Sequence, residues 1–495
     1  MGSVLAERRF SRGVLRGRPP SAASSRGGRA GRGGRARGGS ARVPIGIGVW
    51  GGLADAGPVK WPRIDWRDGL GTLLKGGIVV ELEPAHVERV DLRIEGERIV
   101  ARGPDLQAAP DDEVVALSGK LVFPGLVSAH QRLSASLGRG MPRPKLEGYQ
   151  ELVDKVRWRY EDALDLDAVQ VAATAGGVEA LQCGTTTLFD LHSSPRAVQG
   201  SLLRAARGLH EVGVRGVLSY AVSDRRGALG REEGLDETVS FARKARGRLR
   251  GQVGAAPLFT VGKEALEGLT EAVKSTGVGL HVPLAEDPLD EKLSVERYGG
   301  SPVARLVEGG LLSPQTVLVH VGHLAWPELA QLLPTGAWLV HTPRSNMESE
   351  VGYAPALKFG HRATLGADGV SADMFAEAQA AWLRSRDAGQ PIDVLRYLAN
   401  GQRLASQAFG LQIGAMREGA VADLLVMDYL PATPLTAENL AWHVVFGLGS
   451  RHVESVMVDG VWRVWARRPL SVNPSVVAEQ AREAAAAIWA RMGEK

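Results

Sequence analysis

From Leu121 to Pro144 an apolar run, LVFPGLVSAH, gives way to a polar cluster, QRLSASLGRGMPRP, the pattern of a buried strand that delivers side chains to a site. Strict strand alternation predicts Leu126, Ser128, His130 and Arg132 on one face, against Val127, Ala129 and Gln131 on the other. Seven more apolar runs follow: TTTLFD (185–190), RGVLSYAV (215–222), GQVGAAPLF (251–259), GVGLHVPLAE (277–286), TVLVHVGH (316–323), AWLVHTP (337–343) and ATLGADG (363–369). The stretches between them carry helical spacing and glycine stops, as with Val171, Ala175, Val178 and Leu181 before Gly184. Eight strand–helix units predict an α/β fold, a (β/α)8 TIM-type barrel over 125–410 with its site at the carboxyl ends of the strands.

Shorter β-like runs broken by Gly and Asp turns flank this middle, at 72–124 and again at 422–429 and 453–465. They predict a small composite β-sandwich built from 72–124 plus 411–470. Residues 471–495 end in AEQAREAAAAIWARMGEK, a helix whose apolar stripe is expected to pack on the small domain or on a partner subunit. Residues 1–45 are Arg/Gly-rich and too poor in large apolar groups to fold, with 46–71 as a linker.

Composition narrows the function classes. The chain has 495 residues, 44% of them hydrophobic, enough for one large core and a satellite domain. A single cysteine, Cys183, rules out disulfides within the chain and favours a reducing cytoplasm. No apolar run is long enough for a membrane span. The net charge of +4 is uneven: residues 1–45 hold eleven Arg and one acid, Glu7, about +10, which leaves about −6 elsewhere. The folded part therefore has no nucleic-acid signature. The tail reads three ways: an Arg-Gly RNA-binding segment, a transit peptide, or upstream sequence translated from too early a start codon.

Polar residues collect at the predicted strand ends: His130 and Arg132, His281 and Glu286, His320, His341 and Arg344, and Asp368. In the fifth run Gly279, His281 and Pro283 share one phase against Leu280, Val282 and Leu284. In the eighth, Thr364, Gly366 and Asp368 oppose Ala363, Leu365 and Ala367. A strand-end His-x-His pair places two imidazoles on one metal, but here the second position is Arg132, which has no lone pair to give.

The motifs PGLVSAH, GTTTLFDLHSSP, LAED, VLVHVGHL, VHTPRSNM, LGADGVSADMF and EGAVADLLVMD resemble, in order and spacing, the amidohydrolase superfamily, in its deaminase-like branch with the SsnA-type aminohydrolases. The resemblance implies a metal-dependent hydrolase of carbon–nitrogen bonds in small nitrogen-containing substrates, using Zn or Fe. It maps His130 and Asp368 onto metal ligands, Glu286 onto the proton-shuttling residue, and His320 onto the residue that supports the attacking water. Arg132 and Pro283 stand at the two other ligand positions. Three expectations stay open: a protein that binds without catalysis, a rearranged metal site that recruits His281, and a metal-free enzyme using Arg132 as electrophile. In the first and third, an Arg132–Asp368 ion pair replaces the metal and extends to Glu286. His341, Arg344 and His192 are read as substrate contacts or loop braces, Asp190, His323 and Cys183 as structural, and the assembly as a homodimer.

Overall fold

The computed structural model describes residues 71–493, so the Arg/Gly-rich tail over 1–45 and all but the last residue of the linker over 46–71 lie outside the described residues. Eight parallel strands run in chain order: Leu126–Gln131, Thr185–His192, Arg215–Val222, Val253–Ala255, Leu280–Leu284, Val317–His320, Trp338–His341 and Ala363–Leu365. A parallel bridge between Gln131 and Asp368 links the last strand back to the first and closes the barrel. Two apolar layers explain why the runs read as continuous rather than alternating. Leu126, Leu188, Leu218, Leu280 and Val282 pack outward on the helices, while Val127, Phe189, Val217, Val317 and Val319 fill the interior. Leu404 and Phe409, from helix Val394–Phe409, join that interior cluster and plug the amino ends of the strands.

The first strand departs from strict alternation. Its pairing with the second strand shifts between Leu126 and Val127 and again between Ser128 and Gln131, and Ser128 Oγ donates to the carbonyl of His130 at 2.9 Å. The irregularity, a bulge in effect, turns Val127 and Ala129 inward and Leu126 outward, the reverse of the predicted faces. It also brings His130 inward, so that His130 and Arg132 both reach Asp368.

Two sheets lie at the amino side of this strand. One has four strands, Thr72–Lys75, Asp91–Glu95, Arg98–Gly103 and Glu113–Ala116. The other has seven, combining Ile78–Leu82, Ala85–Arg89 and Leu121–Pro124 with Leu424–Met427, Val453–Val458, Val461–Trp465 and Arg468–Pro469. They share a core of Leu74, Leu92, Ile99, Val122, Leu424, Met457 and Trp462. The chain then passes directly into the barrel at Gly125, where a Cβ would sit 2.4 Å from Thr186 Oγ1. Arg215, at the foot of the third barrel strand and 1% exposed, bridges the two parts: Nε and Nη2 donate to Asp423 at 3.1 and 3.2 Å, and Nη2 also meets Asp459.

Helix Pro474–Gly493 packs on barrel helix Leu166–Gln182, with Trp489 Nε1 donating to the carbonyl of Leu137 at 3.1 Å and Arg491 Nε to that of Ala163 at 2.8 Å. Its apolar stripe is thus met by the barrel instead of by the small domain. Among the described residues no helix is long and apolar enough to cross a membrane.

Candidate active site at the barrel mouth

Asp368 is the hub. It follows the eighth strand in the left-handed region, at φ 53°, as do His320 (69°), Val321 (51°) and Ala285 (51°) at neighbouring strand ends. Such angles are strained for side-chain-bearing residues. The backbone is held there by bonds from Asp368 N to the His130 carbonyl at 2.9 Å and from Gln131 Nε2 to the Asp368 carbonyl at 2.7 Å. Arg132 grips the carboxylate with two prongs, Nε to Oδ1 at 2.5 Å and Nη2 to Oδ2 at 3.1 Å. Ser345 Oγ donates to Oδ2 at 2.5 Å, and His130 Nε2 lies 3.2 Å from Oδ1. Burial opposes ionisation of Asp368, but the Arg132 charge outweighs it and holds the carboxyl well below the usual range.

His281 does not reach Asp368. It lies beneath His130, with its Nε2 2.9 Å from His130 Nδ1 and its own Nδ1 3.5 Å from Ser219 Oγ. Burial lowers the pKa of both imidazoles and keeps them neutral. His320 sits across the mouth with Nδ1 3.0 Å from Asn346 Oδ1 and 2.9 Å from Thr342 Oγ1, and Nε2 3.5 Å from Glu286 Oε2.

Glu286 pairs with a different arginine from the one expected. Arg157 Nη2 is 2.8 Å from its Oε1, and Tyr149 donates to Oε2 at 2.9 Å. Burial would raise the Glu286 pKa, but Arg157 and then His320 override it and hold it at about 2. Arg157 closes the π-helical turn Val153–Arg157 in the loop after the first strand, a segment with no motif spacing to mark it. The same is true of Tyr149, while Thr342 and Asn346 sit inside the VHTPRSNM motif but carry no charge to mark them beside His341 and Arg344.

These groups surround a cavity of about 60 Å³. Its floor is Leu191, Ala221 and Ala256 with Pro283, and Trp158 and Phe259 supply aromatic walls. Trp158 is capped by the Arg225 guanidinium, 4.5 Å from the ring centre. Besides His281, three candidates lie outside this cavity. His192 bonds Ser194 Oγ at 2.8 Å, and Arg344 reaches Glu377 at 2.6 Å and Ser371 Oγ at 3.1 Å. His341 points outward against Tyr353 and Phe359.

Asp190, on the second strand, accepts from Leu133 N at 2.7 Å through Oδ1, while Oδ2 is buried without a partner. Burial pushes its pKa up from 3.8 to about 7. A carboxyl raised in the folded state binds its proton more tightly there than in the unfolded chain, so it destabilises as pH rises from about 4 to about 7. Asp190→Asn is expected to flatten this part of the profile, a gain of about 2 kcal/mol at pH 8 and little at pH 4, read from urea midpoints. Equal shifts at both pH values would contradict it.

Among the described residues, ligand atoms of His130, His320 and Asp368 lie within 4.8 Å of one another and could hold a metal ion. Three protein ligands suffice for a catalytic zinc. Yet both Asp368 oxygens are already taken by the Arg132 guanidinium, and a divalent ion on the same carboxylate would face that charge at contact distance. With Arg132 where it is, the residues do not fit a metal.

Comparison with known proteins agrees with this architecture. The Amidohydrolase family model matches residues 121–463. The 5-methylthioadenosine/S-adenosylhomocysteine deaminase of Haloarcula marismortui is 30% identical over 448 residues, covering 85% of this chain and 99% of that protein. The enzyme of the same name from Desulforudis audaxviator is 29% identical over 419 residues, covering 80% and 94%. Among solved structures, an adenosine deaminase from Xanthomonas campestris with bound Zn superposes with a TM-score of 0.75 at 22% identity, covering 85% of this chain and 98% of that one. Atrazine chlorohydrolase TrzN from Arthrobacter aurescens, complexed with zinc, gives 0.72 at 19% identity, covering 84% and 100%. These two likenesses show the shared fold. The family match runs from the last sandwich strand through the whole barrel to the returning strands, and the chain belongs to the amidohydrolase family.

Proposed function

We propose that this protein binds a small nitrogen-containing ring of purine type at the barrel mouth and has lost most or all metal-dependent hydrolysis. The observation that carries this reading is the two-pronged grip of Arg132 on Asp368, which puts a fixed monovalent cation beside the carboxylate a metal would need. Two others support it. Pro283 offers no donor, and the ion pair with Arg157 lowers the basicity of Glu286, which weakens it as a group that must take up a proton before passing it on. The same pinning argues against a metal-free hydrolase built on Arg132 and Glu286.

The apolar floor and the Trp158 and Phe259 walls suit the face of a flat ring, the adjoining groove of about 370 Å³ that shares Arg132 and Arg157 gives room for the rest of the ligand, and the names of the relatives make 5′-methylthioadenosine and S-adenosylhomocysteine the first ligands to try. The setting we favour is the cytoplasm, on the strength of the lone Cys183, with a homodimer as the assembly. The test is elemental mass spectrometry on protein purified without a metal-binding tag, with calorimetry and a deamination assay on those two nucleosides. The expected outcome is no bound metal, measurable binding and no turnover above background. About one metal per chain, with turnover that a chelator abolishes, would overturn the reading in favour of an active enzyme using the His130, His320 and Asp368 set.

A further inference from the structure

We propose that Arg132 alone keeps a divalent cation out of the barrel mouth: guanidinium and metal are mutually exclusive occupants, and Pro283 is not part of the lock. The inference rests on the reading that the wild-type site is metal-free, and goes beyond it by assigning a latent three-ligand site. Its first support is the wiring behind the two histidines. His320 has its Nδ1 against Asn346 Oδ1 and Thr342 Oγ1, and Thr342 Oγ1 itself donates to Asn346 Oδ1 at 2.9 Å. The imidazole therefore keeps a proton on Nδ1, and its other nitrogen, Nε2, faces the mouth.

His130 is wired the same way through a longer chain. Ser219 Oγ gives its proton to the Asp190 carbonyl at 2.9 Å, which leaves the hydroxyl oxygen free to accept from His281 Nδ1 at 3.5 Å. His281 Nε2 can then accept from His130 Nδ1 at 2.9 Å. In that arrangement His130 Nε2 is unprotonated and open to a metal, whereas in the metal-free site the opposite tautomer lets Nε2 donate to Asp368 Oδ1 at 3.2 Å. An imidazole whose remote nitrogen is tied down in this manner has the orientation of a metal ligand.

The second support is the position of the guanidinium. The Arg132 side chain is 25% exposed and borders both the inner cavity and an adjoining groove of about 370 Å³, whereas Asp368 is fully buried. The cation that now neutralises Asp368 thus has an outward path, and its removal uncovers the carboxylate without moving another ligand. His320 supplies the third donor, so the ligand position held by Pro283 need not be refilled.

The experiment compares wild type with Arg132→Ala, Arg132→Lys and Arg132→Ala/Asp368→Asn, each dialysed against Zn²⁺ for elemental analysis and titrated with Co²⁺ under visible absorption. Arg132→Ala is expected to take up about one equivalent, with a cobalt band and a Tm that rises with added Zn²⁺. Wild type, Arg132→Lys and the double variant are expected to stay empty. If Arg132→Ala is not recovered folded, Arg132→Gln, which keeps a hydrogen bond to Asp368 without the charge, carries the same comparison. A folded Arg132→Ala or Arg132→Gln that remains empty overturns the inference and leaves the proposed function standing. A wild type that loads one equivalent overturns both.

Discussion

Arg215→Ala is expected to lower stability by about 3–5 kcal/mol, the size of loss seen when one member of a buried ion pair is deleted. The reason lies in what stays behind. Asp423 is 1% exposed and Asp459 6%, and Asp423 Oδ1 also accepts from Asp459 N at 2.7 Å, so Asp423 would remain in a dry pocket without its paired cation, while Asp459 would keep only the longer contact to Arg248, at 3.8 Å. Burial already pushes Asp423 upward, and Arg215 is the main force opposing it. Removing charge from all three positions, as Arg215→Met with Asp423→Asn and Asp459→Asn, should recover much of the loss, because matched neutral groups avoid the stranded charge. Urea unfolding reads both variants. A loss under about 1 kcal/mol for Arg215→Ala would show that water reaches the carboxylates.

The second large effect belongs to Arg157. In wild type, Glu286 has a pKa of about 2 against an ordinary 4.5, so its ionisation stabilises the fold above about pH 4.5, and that contribution is lost as pH falls towards 2. Arg157→Leu reverses the sign. Burial and the neighbouring Asp368 charge then push Glu286 above 4.5, and the carboxylate becomes a liability that grows as pH rises. The expected result is a loss of about 3–5 kcal/mol at pH 8 that shrinks steadily towards pH 5. A loss independent of pH would mean that Arg157 matters for packing on Tyr149, 5.4 Å from its guanidinium, and not for the charge on Glu286.

The eight barrel strands were legible because each is buried on both faces, so apolar residues run on without a polar partner phase, as in LVFPGLVSAH and TVLVHVGH. The meeting of Arg132 with Asp368 was legible from charge alone, since a buried carboxylate needs a cation. The facing of the first strand was not, because a bulge is a matter of pairing between strands and leaves no mark in the spacing of one. Arg157 was missed for a related reason. Its loop has no fixed distance in sequence from Glu286, and only the folded chain brings them to 2.8 Å. His341 was placed among strand-end candidates, but Trp338 and Val340 take the interior phase of the seventh strand and turn it towards the helices.

The left-handed residues at the mouth bear on whether this protein is a relic. Asp368, His320, Ala285 and Val321 each hold a backbone angle that L side chains resist at a cost of roughly 1 kcal/mol or more, and Val321 is β-branched, the least tolerant class. A disused opening has no reason to keep such tension: glycine at any of these positions, or a relaxed loop, would release it. The rim is still wound like a spring around Asp368, as expected of a mouth that goes on holding a ligand in the proposed way.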